Sequence, residues 1–161
     1  MDSTDLPASE GPLQFGRREA GQVYEDRPCA YGVLVRSDGR IAIVRITRPE
    51  ITYYDLPGGA IDPGEDEAAA LVREFGEETG LKVGVGRLLA RAGQYMLMKD
   101  GRPVNNRSGL YVATLIGEDA ALKVEEDHAL VWLSPDDALR HLRHDSHAWA
   151  VAAWMRLQAV G

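Results

Sequence analysis

The segment from Gly59 to Leu81, GAIDPGEDEAAALVREFGEETGL, places three glutamates on one side of a predicted helix. An α-helix turns by about 100° per residue, so Glu77 and Glu78 lie within about 60° of Glu74 around the helix axis. Apolar residues recur at i, i+3, i+4 and i+7 and are predicted to form the face that packs on a core; they are Ala68, Leu71, Val72 and Phe75. The chain must therefore fold so that a helix is fixed on one side and presents carboxylates on another.

This acidic face is unfavourable for the helix itself. Like charges at i, i+3 and i, i+4 repel by a few tenths of a kcal/mol per pair. The acids also lie in the last turns, where the helix dipole disfavours negative charge, and Gly76 costs about 1 kcal/mol relative to alanine. A hard divalent cation such as Mg²⁺ would neutralise the carboxylates with oxygen ligands. The pattern thus favours a metal site over the other interpretation, a solvated acidic surface.

The segment resembles the Nudix box at all nine specified positions: Gly59, Glu65, Arg73, Glu74, Phe75, Glu77, Glu78, Gly80 and Leu81. The preceding Leu56–Gly59 also resembles the lead-in of that family. The resemblance implies an α/β fold of the Nudix type, an α-β-α sandwich with a mixed β-sheet between helices. It further implies a hydrolase that depends on Mg²⁺, with Mn²⁺ as a substitute, and cleaves the diphosphate linkage of a nucleoside diphosphate joined to another moiety.

The resemblance also assigns roles to residues of the site. Glu74, Glu77 and Glu78 correspond to the acids that bind metal and activate water, and the carbonyl of Gly58 is expected to join the metal shell. Arg73 is expected to orient these acids by ion pairing.

A further metal ligand is expected from a loop outside the box. Glu126 is the candidate, because it lies six residues before Trp132 in the acidic run from Glu125 to His128. The same run is also consistent with a solvated acidic loop, and His128 is expected on the surface. The histidines near the C-terminus, His141, His144 and His147, are not expected to converge on a metal.

Contacts to the substrate are predicted from basic and aromatic residues on either side of the box. Arg45, Arg48 and either Tyr53 or Tyr54 precede it, and Arg107 ends a basic, amide-rich loop that begins at Lys99. The chain lacks the downstream patterns of the ADP-ribose, NADH and dinucleoside-polyphosphate groups of the family. A nucleoside triphosphate, including an oxidised one, is therefore the favoured substrate, although the sequence does not name it.

Composition restricts the partners. A net charge of −7 argues against binding of long nucleic acid, which requires a basic surface. The single cysteine, Cys29, excludes an intramolecular disulfide and is expected to be a buried, inert thiol. The polar N-terminus and the lack of an apolar run of about 18 residues predict a cytoplasmic protein with no membrane partner. A homodimer stays open.

The chain is predicted to consist of a loose N-terminal tail, residues 1–27, and one domain, residues 28–161. The box helix is expected over Glu65–Thr79 with Gly80 as its end, and separate strands are expected near Val83–Arg91 and Gln94–Met98. The final helix is expected to bury three residues, Trp149, Ala152 and Ala153.

One alternative function of another class remains. A Nudix-fold module could bind nucleotides for regulation without turnover. The three intact acids favour the enzyme, because a binding module does not need all of them.

Overall fold

The computed structural model describes residues 13–160, which form eight strands, three α-helices and one short 3₁₀ helix. The strands are β1 (Leu13–Phe15), β2 (Glu25–Leu34), β3 (Ile41–Thr47), β4 (Thr52–Asp55), β5 (Gly58–Ala60), β6 (Leu81–Leu97), β7 (Pro103–Glu118) and β8 (His128–Leu133). The helices are α1 (Glu67–Thr79), α2 (Pro135–His141) and α3 (Asp145–Val160), and the 3₁₀ helix covers Ala120–Leu122.

The strands form two sheets. The larger sheet is mixed and has the order β1-β6-β7-β2-β5, in which β1 runs parallel to β6 and β7 runs parallel to β2. The smaller sheet is antiparallel and has the order β4-β3-β8. The short strand β5 lies at the edge of the larger sheet. Residues 61–66 connect it to α1, so the helix lies near that edge.

Helix α1 begins and ends at clear local signals. The side chain of Asp66 accepts a hydrogen bond of 2.7 Å from the backbone N–H of Ala69, which satisfies one free donor of the first turn. The helix therefore starts two residues later than the predicted Glu65. Gly80 adopts the left-handed conformation (φ 75°) and its N–H donates to the carbonyl of Gly76, which confirms it as the helix end.

Side chains of β2 alternate between two hydrophobic layers. Cys29, Tyr31 and Val33 face the layer that contains Ala150 and Val151 of α3. Ala30 and Leu34 face the opposite layer with Leu71 and Phe75 of α1. Because a strand directs successive side chains to opposite faces, β2 is buried on both sides. Helices thus cover both faces of the mixed sheet, and the predicted sandwich is confirmed.

The buried faces of α1 and α3 differ from the predicted ones. In α1, Val72 is 43% exposed and Ala68 is also exposed, because the acidic side of the helix is itself turned towards the protein. In α3, Trp149 is 45% exposed, and the buried residues are instead Ser146, His147, Ala150 and Val151.

The N-terminal part and the long strands also differ from the prediction. Leu13–Phe15 pairs with Ala92–Gln94, and β2 already begins at Glu25, so these parts of the predicted tail are in the larger sheet. Residues 1–12 lie outside the described residues, and the domain boundary stays a prediction. Strand β6 is one continuous strand of 17 residues, because bulges absorb its irregular register with β7.

Among residues 13–160, no helix has the length and apolar character needed to span a bilayer. The cytoplasmic location and the homodimer stay predictions.

His147 of α3 is buried in the protein core. Its Nδ1 accepts a hydrogen bond of 3.1 Å from the backbone N–H of Leu56, and its ring lies 4.3 Å from that of Tyr31. Burial lowers the pKa of His147 to about 3, so the ring is neutral near pH 7. A neutral ring is also what the hydrogen bond requires, since Nδ1 must act as an acceptor.

The low pKa of His147 predicts sensitivity to acid. Between the folded pKa of about 3 and the unfolded value of about 6.5, the unfolded chain binds one more proton, so the free energy of unfolding falls as the pH is lowered. One such group contributes a slope of up to about 1.4 kcal/mol per pH unit. We expect His147→Asn, which keeps an acceptor near Leu56, to reduce this slope in urea unfolding between pH 6.5 and 4.5.

An equal slope in the wild type and in His147→Asn would contradict a buried neutral ring.

Candidate active site

The acidic side of α1 is packed against the glycines of β5. The carboxylate of Glu78 is nearly buried and accepts a hydrogen bond of 2.9 Å from the backbone N–H of Gly58. Gly58 has a φ of 145°, and a Cβ there would lie 2.1 Å from the carbonyl oxygen of Ala30. A Cβ on Gly59 would lie 2.8 Å from the carboxylate carbon of Glu74. Only glycines therefore allow the strand to approach these acids.

Arg73 connects the acids to the loop before the helix. Its guanidinium donates two hydrogen bonds to Glu65, at 2.8 and 2.9 Å, and further bonds to Glu74 at 3.0 Å and Glu77 at 3.2 Å. It also donates to the carbonyl of Ala60. The bidentate contact lowers the pKa of Glu65 to about 2. Arg73 therefore forms ion pairs with three carboxylates at once, those of Glu65, Glu74 and Glu77.

Burial changes the ionisation of the two acids nearest β5. It raises the pKa of Glu78 well above its ordinary value, and the nearby Glu74, Asp55 and Glu125 add to this effect through their charge. Burial also raises the pKa of Glu74, although Arg73 opposes it. These carboxylates cannot all be ionised at low cost without a neutralising cation. Their oxygens form the donor set that a hard divalent cation takes, so the residues fit a Mg²⁺ site.

The acidic loop is attached to the end of α1. The backbone N–H groups of Val124 and Glu125 both donate to the carbonyl of Glu77, at 2.9 and 3.1 Å. This attachment places Glu125 in the wall of the cavity described below, whereas Glu126 is exposed and does not line it. Glu125, and not the predicted Glu126, therefore faces the cavity. Successive side chains of the extended loop point in different directions, and only the fold determines which one faces inward.

His128 is not a surface residue, contrary to the prediction. Its Nε2 lies 3.3 Å from Oε2 of Glu78, and its Nδ1 lies 2.7 Å from Oδ1 of Asp127. Asp127 in turn pairs with Arg48. Ligand atoms of Glu125, Asp127 and His128 all lie within 4.8 Å of one another and form a second group able to hold a metal ion. The loop and the box helix therefore form one continuous acidic wall.

A cavity of about 800 Å³ opens beside this wall. Its lining includes the carboxylates Glu50, Asp55, Glu74, Glu78 and Glu125, together with Gly58 and Gly59. Its cationic and amide groups are Arg27, Arg48, Lys99, Asn106 and Arg143. Its largely apolar side chains are Ile46, Ile51, Tyr53, Met96, Leu97 and Met98. One cavity thus combines groups suited to a metal, to phosphate and to a flat apolar ring.

Only some of the residues predicted to contact the substrate line this cavity. Arg48 lines it, but Arg45 and Tyr54 do not. These two residues are paired across β3 and β4, and their neighbours Ile46 and Tyr53, which are also paired, face the cavity instead. Of the two tyrosines predicted as alternatives, Tyr53 therefore lines the cavity. Strand side chains alternate between two faces, so a shift by one residue exchanges the face on which a side chain lies.

Arg107 is also outside the cavity. It is exposed and lies 3.4 Å from Asp26, whereas the preceding Asn106 is buried and lines the cavity. Glu77 does not line the cavity either, and its carboxylate is bonded to Arg73. The proposal of Glu77 as a ligand rests on its position in the box.

Several cavity residues were missed from the sequence. Arg27 falls in the predicted tail, and no sequence pattern singles out Asp55. Asp55 accepts two hydrogen bonds from Arg143, at 3.2 and 2.7 Å, and the guanidinium of Arg143 lies 4.2 Å from the ring centre of Tyr53. No local signal predicts the contact between Asp55 and Arg143, because 88 residues separate them. Val104 and Asn106 lie two residues apart in β7 and are both buried. This spacing is the sequence signal that their side chains share the inward face of the strand.

Comparison with known proteins supports the same family. The family model described as "NUDIX domain" matches residues 26–155. An RNA pyrophosphohydrolase of Sphingopyxis alaskensis is 31% identical over 112 residues, which cover 63% of this chain and 71% of that protein. A CTP pyrophosphohydrolase of Escherichia coli is 28% identical over 131 residues, covering 79% and 90% of the two chains. The fold also matches a solved NUDIX hydrolase from Nitrosomonas europaea, with a TM-score of 0.67, 18% identity and coverage of 82% and 90%.

The contacts of Arg73 predict a large effect on stability. We expect Arg73→Met to lower the free energy of unfolding by about 2–3 kcal/mol, because it leaves Glu65, Glu74 and Glu77 close together without their shared cation. Chemical denaturation at pH 7 without divalent metal would measure this loss. Arg91→Met is the matched control, since Arg91 is exposed and pairs with Glu67 alone, and it should cost less than about 1 kcal/mol. Equal effects of the two variants would argue against Arg73 as the organiser of the acids.

Proposed function

This chain belongs to the Nudix family and is a Nudix hydrolase, and we propose that it hydrolyses the diphosphate linkage of a nucleoside triphosphate in a reaction that depends on Mg²⁺. The observation that carries the proposal is the close packing of two carboxylates, the buried Glu78 and the half-buried Glu74, against the glycines of β5 at the wall of a large cavity. Such an arrangement costs free energy in the absence of a cation, so it is best explained by one.

The residues that would hold the metal are the carboxylates of Glu74, Glu78 and Glu125, with Glu77 and the carbonyl of Gly58 as further oxygen donors. A bound Mg²⁺ supplies charge neutralisation at the diphosphate and lowers the pKa of a bound water. Mn²⁺ takes similar oxygen ligands and is expected to substitute.

The protein's own part is to hold its carboxylates in place before the substrate binds. Arg73 restrains Glu74 and Glu77, and the N–H of Gly58 restrains Glu78. His128 lies between Glu78 and Asp127, so it links the box helix to the loop that carries Glu125. Groups held in this way need little reorganisation in the transition state, which favours hydrolysis over mere binding.

The cavity supports a nucleotide with a short phosphate chain. Arg48 and Lys99 line it and supply positive charge in a protein whose net charge is −7. These cations can attract phosphate locally, although the overall charge of the protein does not. A nucleoside triphosphate, including an oxidised one, fits this combination, and the similar E. coli protein is named a CTP pyrophosphohydrolase.

A panel of nucleotides tests this function. We expect release of pyrophosphate or phosphate from at least one nucleoside triphosphate in the presence of Mg²⁺, and no release after chelation with EDTA. Glu78→Gln should lower kcat by orders of magnitude, since a carboxylate ligand is lost. Because burial favours the neutral form of Glu78, the variant should keep its melting temperature without metal.

The alternative, a binding module without turnover, predicts a different result. Mg²⁺ and nucleotide would raise the melting temperature, as expected for ligands of the folded state, but no triphosphate would be hydrolysed at a rate that Glu78→Gln reduces.

The loop acids provide a prediction with a built-in control. We expect Glu125→Gln to lower kcat at least tenfold with a smaller change in KM, because its charge is needed most in the transition state. Glu126→Gln changes a neighbouring exposed acid in the same way and should be nearly silent. Steady-state kinetics of the two variants with the best substrate decide between them, and a sensitive Glu126 would show that the loop moves on binding.

A further inference from the structure

Arg27 and Asn106 form a pair on the floor of the cavity. They are directly opposite each other on the parallel strands β2 and β7, and Nη1 of Arg27 donates a hydrogen bond of 3.1 Å to Oδ1 of Asn106. Asn106 is only 3% exposed. Both side chains line the cavity. Within residues 13–160, Arg27 forms no ion pair with a carboxylate, and its Nη1 also lies 3.2 Å from the sulfur of Cys29. Its charge therefore remains available to a ligand.

The pair presents donors only. A guanidinium has no acceptor, so the bond between the two residues requires the amide oxygen of Asn106 to face Arg27. The amide nitrogen is then left with Sδ of Met96, at 3.0 Å, as its partner. A thioether is a weak acceptor, and a buried N–H₂ with such a partner gains from a stronger one. A ligand that lies on the pair must therefore offer adjacent acceptors.

The surroundings of the pair suit a flat ring. Met96 contacts Asn106 and lines the cavity together with Leu97 and Met98. Tyr53 of β4 and the preceding Ile51 also line it. Methionine side chains adapt to the faces of aromatic rings and contact them favourably. Glu74, one of the carboxylates that fit a metal, lines the same cavity, and its charge acts on Arg27.

We propose that Arg27 and Asn106 read the O6 and N7 acceptors of a guanine base and so set the base preference of the enzyme. Guanine offers two adjacent acceptors on this edge, whereas adenine replaces O6 with an amino group that would face the donors of the pair. Hypoxanthine keeps both acceptors and should be accepted as well. The inference rests on the proposed function for its place in catalysis, but base recognition is measurable without turnover.

Phosphate oxygens are the other source of adjacent acceptors in a nucleotide. A contact to phosphate would be the same for every base, whereas a contact to the base edge would not. Comparison of GMP, IMP and AMP, which carry the same phosphate, therefore separates the two.

The first measurement is the Kd of GMP, IMP and AMP for the full chain by calorimetry with Mg²⁺. We expect GMP and IMP to bind about tenfold or more tightly than AMP. Asn106→Asp replaces the free donor with an acceptor of the same shape and keeps a partner for Arg27. It should lower the affinity for GMP and raise that for AMP, so that the preference falls at least tenfold or reverses. A merely structural role of Asn106 would weaken all three ligands together.

The second measurement uses Arg27→Met, with Arg87→Met as control, because Arg87 is an exposed residue of β6 outside the cavity lining. We expect Arg27→Met to reduce the ratio of the AMP and GMP Kd values towards one, with a melting temperature close to that of the wild type, and Arg87→Met to leave the ratio unchanged. Equal losses for all three nucleotides would assign Arg27 to phosphate and overturn the proposal, as would IMP that binds like AMP.

The proposed function can fail separately. A base preference without hydrolysis of any triphosphate would refute the enzyme and leave the recognition pair standing. Hydrolysis with equal kcat/KM for GTP, ATP, CTP and UTP would refute the recognition pair alone.

Discussion

The hydrogen bond between the backbone N–H of Gly58 and the carboxylate of Glu78 is the contact on which the site depends. It joins the last turns of α1 to the edge of the mixed sheet, and 20 residues separate its two ends in sequence. The bond requires a strand without side chains, since a Cβ at Gly58 would lie 2.1 Å from a backbone oxygen of β2. The close packing of α1 on β5 therefore requires both the glycines of the strand and the acids of the box.

That contact holds the carboxyl group of Glu78 in a buried position. Burial raises the pKa of Glu78 and Glu74, and Arg73 compensates only part of the cluster. The same environment that disfavours ionised carboxylates makes them strong ligands for a hard cation, because a cation restores the lost solvation. The clustered carboxylates destabilise the box helix, and their placement is explained by the site and not by stability.

Alternation along strands determines the rest of the cavity. Ile46 and Tyr53 face it while their neighbours Arg45 and Tyr54 face away, and Asn106 faces it while Arg107 is exposed. Residues from β2, β3, β4, β7 and the acidic loop thus meet around one space, whose lining contains carboxylates, cations and apolar side chains. This combination suits a nucleotide, which has a charged chain and a flat ring.

The sequence by itself determined the box helix with its end at Gly80 and the carboxylates of its acidic face, and it indicated the fold class through the resemblance of this segment to the Nudix box. These features depend on residues close together in the chain, where helix geometry and capping act without help from distant segments. Only the tertiary structure decided that Glu125 rather than Glu126 lines the cavity, and that Arg27 joins Asn106 79 residues away. Such choices depend on strand register and on the backbone bonds that attach the loop to α1, and a shift of one residue in either reverses the side that a side chain faces.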